Sequence, residues 1–320
     1  MLSRRHLRIK VLQALYSFYQ SDNKSLKEGE EYLRESIASV HELFIHQLSF
    51  LEEVVDFARA KIEDAKLKYL PTEADLNPNT RFIDNRFIQQ LVVNKSYLVR
   101  KENLKISWAE EPEMIRRFYI HLKEFPEYIE YMEADECSYM DDKNFLIKIV
   151  KKYVNFYELL EVYYEEKSVF WADDFDTANM MVMKTIKSWE ENWDEYAALP
   201  GIYNTKGKDD PKEDEKFTYS LYRHVMLDGK EYDEYIQEFS KNWEAERIAL
   251  MDRIILKMAL AEMIHFPSIP IKVSINECIE IAKNYSTDKS KIFINGMLDN
   301  LITKLENEKK IKKIGRGLKE

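Results

Sequence analysis

The chain has 320 residues, 45% of them hydrophobic and 33% charged, with a formal net charge of −10. It contains only seven glycines and eight prolines. All-β folds use these residues at nearly every turn, so the composition argues against such a fold and predicts an all-α one. Two cysteines, Cys137 and Cys278, are too few for a disulfide framework and are expected to be reduced. Runs of about eighteen apolar residues are absent, so we expect no membrane span and a cytoplasmic location.

The first predicted helix runs from about Ser3 to Tyr19 and is apolar over most of its circumference, which is typical of a helix at the centre of a bundle. Its first turns are basic instead. Residues 1–10 contain four basic residues and no acid: Arg4, Arg5, Arg8 and Lys10. A strongly anionic protein repels nucleic acid, but charges farther away than about 8 Å are largely screened at physiological salt. The arginine-rich start could therefore bind phosphate locally.

A second helical region is predicted from about Ser25 to Tyr69, where Pro71 ends it. The next segment, up to a second boundary at 199–216, is rich in aromatic and acidic residues. Residues 125–176 alone hold fourteen acids against five lysines. We expect about five helices here. One of them is an amphipathic helix whose apolar seam consists of Val182, Ile186, Trp189, Trp193 and Tyr196.

The helical pattern is strongest in the C-terminal part of the chain. Five helices are predicted there, near residues 217–227, 231–243, 246–265, 273–285 and 288–308. Ser274 and Glu277 have the spacing of a capping box at the start of the fourth helix. Glu262 lies on the apolar face of the third and is expected to be part-buried and ion-paired rather than catalytic. Residues 309–320 form a basic tail that we expect to be disordered.

Four segments resemble one known family. Residues 4–8 (RRHLR) with 11–17 (VLQALYS) resemble the arginine-rich opening helix of NusB proteins. Three later segments resemble family motifs in family order: 252–263 (DRIILKMALAEM), 269–277 (IPIKVSINE) and 293–299 (FINGMLD). The resemblance is good over about residues 1–20 and 217–303 and loose over 25–69. It identifies the chain as a member of the NusB family.

This resemblance implies an all-α bundle of two subdomains with an additional inserted helical region. The predicted division is 1–70 for the N-terminal NusB-like helices, 71–216 for the insertion, 217–308 for the C-terminal subdomain and 309–320 for the tail. The family relationship also implies a transcription antitermination factor. Such a protein binds the boxA element of single-stranded ribosomal RNA leader transcripts together with the ribosomal protein NusE, and helps RNA polymerase to read through terminators.

The family's RNA contacts carry over to Arg4, Arg5 and Arg8, whose guanidinium groups can engage phosphates or stack on bases. A solvated basic helix start is the alternative interpretation of the same three residues. His6 stands where family members often have another arginine, which would weaken the site near neutral pH.

A second candidate RNA contact is Phe293 with Lys291, because an aromatic ring can stack on an unpaired base while a lysine neutralises phosphate. Phe293 could equally be a core residue. Tyr16 and Asp252 match positions at the edge shared by RNA and NusE. A core tyrosine and a helix N-terminal acid explain these two residues equally well.

No enzyme motif is convincing, and we predict neither catalysis, nor a cofactor, nor a metal site. Residues 201–208 resemble a phosphate-binding loop only superficially, since the spacing is one residue too long and no strand precedes it. The histidines are scattered without a metal-ligand pattern. NusB-like domains also precede ribosomal RNA methyltransferases, but no glycine-bearing cofactor loop follows the last motif here. The alternative function is a helical protein-protein scaffold whose acidic middle region binds a basic partner.

Overall fold

Every regular element is helical in the computed structural model over the residues that it describes, which are 1–21, 25–205, 210–240 and 248–318. The all-α prediction is thus confirmed. The α-helices of these ranges are, in chain order, α1 (Arg4–Gln20), α2 (Leu26–Lys66), α3 (Glu73–Leu76), α4 (Arg86–Val93), α5 (Lys95–Asn103), α6 (Pro112–Leu122), α7 (Pro126–Glu133), α8 (Tyr139–Lys152), α9 (Glu158–Lys167), α10 (Phe175–Ser188), α11 (Glu213–Leu227), α12 (Gly229–Phe239), α13 (Leu250–His265), α14 (Ile271–Tyr285) and α15 (Ser290–Asn307). Short 3-10 helices within the same described ranges are Val154–Phe156, Val169–Trp171 and Gly315–Leu318.

The chain divides into two compact units. The first unit consists of Met1 with Ala38–Ile202, and the second unit of Leu2–Ile37 with Tyr203–Glu320. Helix α2 contributes residues to both. This division follows compactness, whereas the division at residues 70 and 216 follows sequence resemblance and stays a prediction.

Aromatic side chains fill much of the core of the first unit. Phe50 of α2 packs edge-on against Trp108 and Phe118, with ring centroids 5.6 and 5.1 Å apart. Helix α8 packs on α4, α7 and α10. The aromatic richness of this segment is therefore explained by core packing, because large rings bury much apolar area at specific edge-to-face contacts.

Helix α13 organises the second unit. Its residues from Ile254 to Met263 are all buried, and α1, α11, α12, α14 and α15 all pack against it. A helix that is buried on all sides has to lie inside a bundle. The five helices predicted for this part of the chain all exist, with ends shifted by a few residues. Residues 241–247, where the second and third of these helices were predicted to end and begin, lie outside the described residues.

The segment predicted to be an insertion contains more helices than expected, and the predicted helical seam was wrong. Eight α-helices, α3 to α10, lie between residues 71 and 199 instead of about five. Helix α10 stops at Ser188, so Trp193 and Tyr196 are not on it. A contact from another helix explains why α10 ends there. The buried Lys143 ammonium donates to the carbonyl oxygens of Lys187 and Trp189 at 3.0 and 2.5 Å, and so satisfies the helix end.

The predicted capping box at Ser274 was also wrong. Helix α14 begins at Ile271, after Pro270, so Ser274 lies inside it. Its buried hydroxyl donates to Glu262 instead. A capping box does form at α1, where Ser3 and His6 exchange hydrogen bonds. In the part of the chain that is described, no helix combines the length and apolar composition needed to cross a bilayer.

Candidate nucleic-acid interface

A cleft of about 710 Å³ in the second unit brings three distant parts of the sequence together. Its walls come from the start of α1, from the loop and first turn around α14, and from the C-terminal tail. The residues that line it are Ser3, Arg4, Arg5, His6, Arg8, Ser268, Ile269, Pro270, Val273, Glu277 and Arg316. Two of the segments that resemble NusB motifs thus form one surface, which combines guanidinium groups with an apolar floor.

Arg4 is held by two acidic residues at the start of α11. Its Nε donates to Asp214 at 3.0 Å and its Nη2 to Glu213 at 2.5 Å. The guanidinium carbon also lies 5.0 Å from the centre of the Phe217 ring, a cation-π distance. Its side chain is 30% exposed. Arg4 is therefore fixed in orientation but still reaches solvent.

Arg5 is the most exposed of the three predicted arginines, with 46% of its side chain accessible. Its Nε and Nη2 donate to the two carboxylate oxygens of Glu277 at 2.8 and 2.9 Å. This hydrogen bond lowers the pKa of the Glu277 carboxyl and raises that of Arg5. The pair uses two of the five N–H donors of the guanidinium group, so the others can bind a second anion.

Arg8 is among the residues that line the cleft but is almost entirely buried, so its predicted direct RNA contact does not fit its position. Its side chain is only 4% exposed. Nε and Nη2 donate to both oxygens of the buried Glu262 at 2.7 and 2.8 Å. Glu262 also accepts from Ser274 Oγ at 2.6 Å. Because this guanidinium is buried between Glu262 and Glu277, whereas that of Arg5 is exposed, a phosphate cannot reach it. We therefore assign Arg8 to positioning α1 against α13 and α14. The predicted ion pair of Glu262 is confirmed.

The C-terminal tail contributes an arginine that the sequence analysis did not single out. Residues 310–318 differ from the expected disorder, since Ile314 N donates to Pro267 O and Lys313 Nζ to Phe266 O, both at 3.0 Å. These bonds place the exposed Arg316 on the cleft. The basic composition of the tail was visible in the sequence, but its attachment depends on backbone groups of a distant loop. Lys319, also part of the predicted tail, lies outside the described residues.

Gly317→Ala is expected to release this tail. A Cβ at position 317 would lie 2.0 Å from the backbone oxygen of Pro267, so the two segments would have to separate. Trypsin should then cleave after Lys313 and Arg316 faster than in the unmodified chain. The matched control is Gly296→Ala, where an added Cβ meets nothing within 4 Å. Equal cleavage rates in all three proteins would show that the tail does not need this contact.

The second candidate RNA contact, Lys291 with Phe293, lies outside the cleft. Lys291 is exposed and Phe293 partly buried on the first turn of α15, and neither is among the described residues that line the cleft. Asp252 is buried and accepts from Ser286 Oγ at 2.5 Å and Ser290 Oγ at 2.9 Å. It therefore ties the start of α15 to α13. Tyr16 is 37% exposed. The roles of these four residues stay predictions.

Comparison with known proteins locates the family match in the second half of the chain. The NusB family model matches residues 176–303, beginning in α10, within the segment that was predicted to be inserted. The transcription antitermination protein NusB of Salinibacter ruber is 39% identical over 142 residues, which are 44% of this chain and 88% of that protein.

Two further relatives carry the same name. The protein of Chloroherpeton thalassium is 41% identical over 102 residues, covering 32% of this chain and 48% of the relative. The protein of Natranaerobius thermophilus is 44% identical over 98 residues, covering 28% of this chain and 70% of the relative. Less than half of this chain is matched in each case, which agrees with a long helical insertion. The chain belongs to the NusB family of transcription antitermination proteins, which are not enzymes.

Proposed function

We propose that this protein is a cytoplasmic RNA-binding antitermination factor. It binds boxA-type single-stranded RNA of ribosomal RNA leader transcripts together with the ribosomal protein NusE, and promotes read-through by the RNA polymerase antitermination complex. The observation that carries the proposal is the cleft at the start of α1, where Arg4, Arg5 and Arg316 surround an apolar floor. Guanidinium groups bind phosphates, and apolar surfaces receive unstacked bases.

The ion pair of Arg5 does not oppose this role. An exposed arginine-carboxylate pair contributes only about 0–1 kcal/mol, so a phosphate can compete with Glu277 or share the guanidinium group with it. Arg5 is held in place before RNA arrives, which reduces the conformational entropy that binding would otherwise cost. Arg316 is exposed and faces the same cleft. The acidic residues of the first unit account for much of the negative charge and are not among those lining the cleft.

RNA binding should depend on salt and on these two arginines. We expect Arg5→Ala and Arg316→Ala each to weaken binding of a labelled boxA oligonucleotide by about tenfold. Each should also reduce the slope of log affinity against log salt by about 0.7, since each removes one phosphate contact. Fluorescence anisotropy between about 50 and 200 mM salt, with and without NusE, measures both quantities.

The matched control is Arg34→Ala. Arg34 is an exposed arginine of the same unit, pairs with Glu31, and is not a lining residue of the cleft. The Arg34→Ala variant should change neither the RNA affinity nor the slope of log affinity against log salt. A scrambled oligonucleotide separates boxA selectivity from general phosphate binding. If both cleft variants bind like the unmodified protein, the cleft is not the RNA site. If the unmodified protein binds no RNA even with NusE, the scaffold alternative is favoured.

A further inference from the structure

The second unit brings together three metal-ligating side chains that the sequence analysis did not connect. His224 lies near the end of α11, Asp228 in the turn between α11 and α12, and His265 at the end of α13. One donor atom from each lies within 4.8 Å of the other two. The two histidines are far apart in sequence, and only the packing of α11 on α13 places them side by side.

The spacing of the donor atoms suits a transition-metal ion. Asp228 Oδ2 lies 3.3 Å from His224 Nδ1 and 3.0 Å from His265 Nε2. Zinc bonds to nitrogen and oxygen are about 2.0–2.2 Å long, so neighbouring donors of a tetrahedral site are about 3.4 Å apart. The imidazole rings are stacked, with centroids 3.6 Å apart and planes 7° from parallel. Because the lone pair of a ligating nitrogen lies in the plane of its ring, two parallel stacked rings cannot bind the same ion. One of the two part-exposed imidazoles therefore has to rotate out of the stack before all three donors meet one ion.

Neighbouring groups support this arrangement. The hydroxyl of the buried Tyr232 lies 3.3 Å from Asp228 Oδ2 and 3.2 Å from His265 Nε2. With an ion on His265 Nε2, this hydroxyl would donate to Asp228 and orient the carboxylate, as residues around metal ligands commonly do. The side chains of His224, Asp228 and His265 are 31%, 32% and 30% exposed, so an ion can reach them from solvent. The same exposure leaves room for water as a fourth ligand.

We propose that His224, Asp228 and His265 form a site for Zn²⁺ or a similar transition-metal dication. Two imidazoles and one carboxylate suit such an ion, whereas Ca²⁺ and Mg²⁺ prefer oxygen ligands. The bound ion would join the turn between α11 and α12 to the end of α13. His265 directly precedes the segment 266–270, part of which lines the arginine cleft, so the ion would also hold that wall. The site itself is independent of the proposed RNA function.

Metal binding to the full chain tests the proposal. After chelator treatment, calorimetric titration with ZnCl₂ should show one ion per chain. His224→Gln and His265→Gln should each weaken binding by more than about 100-fold, and Tyr232→Phe by about tenfold. Co²⁺ in place of Zn²⁺ should give the visible absorption of a low-symmetry site. His121→Gln, which changes an exposed histidine of α6, is the matched control and should bind normally.

Two results would overturn the site. One is the absence of binding at micromolar zinc, and the other is unchanged affinity in both histidine variants. Histidine ring signals in NMR spectra of the unmodified chain provide a readout that does not depend on variant folding. Zinc should shift the signals of His224 and His265 and leave that of His121 in place. A shift confined to other histidines would equally contradict the proposal.

Discussion

Glu262→Ala is expected to lower the free energy of unfolding of the second unit by about 3–5 kcal/mol. The variant removes the carboxylate that is hydrogen-bonded to the buried Arg8, leaving only Glu277 at 3.9 Å, and removes the acceptor of Ser274 Oγ. Uncompensated buried charge is among the most destabilising changes in a protein core, because the lost hydration is no longer offset. Urea unfolding followed by far-UV circular dichroism measures the difference. Glu31→Ala, which removes the exposed partner of Arg34, should leave stability unchanged.

The double variant Arg8→Met with Glu262→Leu distinguishes a structural role of Arg8 from a direct contact with RNA. Replacing both members of a buried pair by apolar side chains of similar size is often neutral, so most of the lost stability should return. If Arg8 only positions α1, the folded double variant should bind boxA RNA with nearly normal affinity. A folded double variant with strongly reduced RNA affinity would restore Arg8 as a direct contact and contradict its assignment to positioning.

Helices with a clear apolar period were predictable, whereas their ends depended on distant partners. The strong helical pattern of residues 246–265 predicted α13, and the structure shows this helix buried at the centre of the second unit. The end of α10 was not predictable, because Lys143 on another helix provides the hydrogen bonds that stop it. The start of α14 was missed for a similar reason, since the Ser274 hydroxyl faces Glu262 rather than its own helix start.

The side chains of the candidate sites also depend on partners that are distant in the sequence. The run of Arg4, Arg5 and Arg8 was evident in the sequence, but both interpretations of it assumed that all three side chains are exposed. Helical periodicity places Arg8 one turn beyond Arg4, with Leu7 and Val11 as neighbours on the inner side of α1. Its partner Glu262 lies on another helix, and only tertiary packing joins them. The same packing unites His224 with His265, so scattered positions in a sequence do not argue against a site.

The free energy of unfolding of the first unit is expected to fall by about 2 kcal/mol for each of His41 and His46 between pH 7 and pH 5. Burial lowers the pKa of both imidazoles to about 4, with further contributions from the charges of Arg100 at His41 and Lys167 at His46. The unfolded chain therefore takes up protons below pH 6.5 that the folded unit excludes. The contribution of these two histidines to the free energy of unfolding is fully present above pH 6.5. It decreases as the pH falls toward 4 and changes no further below pH 4.

Tryptophan fluorescence during urea unfolding measures this effect where it arises. Trp171 and Trp108 pack edge-on against the His46 ring, with centroids 4.9 and 6.5 Å away. His46→Phe keeps an aromatic ring there and should reduce the decline between pH 7 and pH 5 by about 2 kcal/mol. His121→Gln, at an exposed position, should remove none.

Carboxylates do not explain a loss of stability in this pH range. Hydrogen bonds from Arg116 and Lys152 lower the pKa of Glu113 and Glu127 to about 2, so their contributions are lost only below about pH 4.5. Burial raises the pKa of Glu53, which would oppose the decline as the pH falls. A decline of equal size in the His46→Phe protein would therefore mean that the imidazole of His46 is protonated in the folded unit, contrary to its burial among aromatic rings.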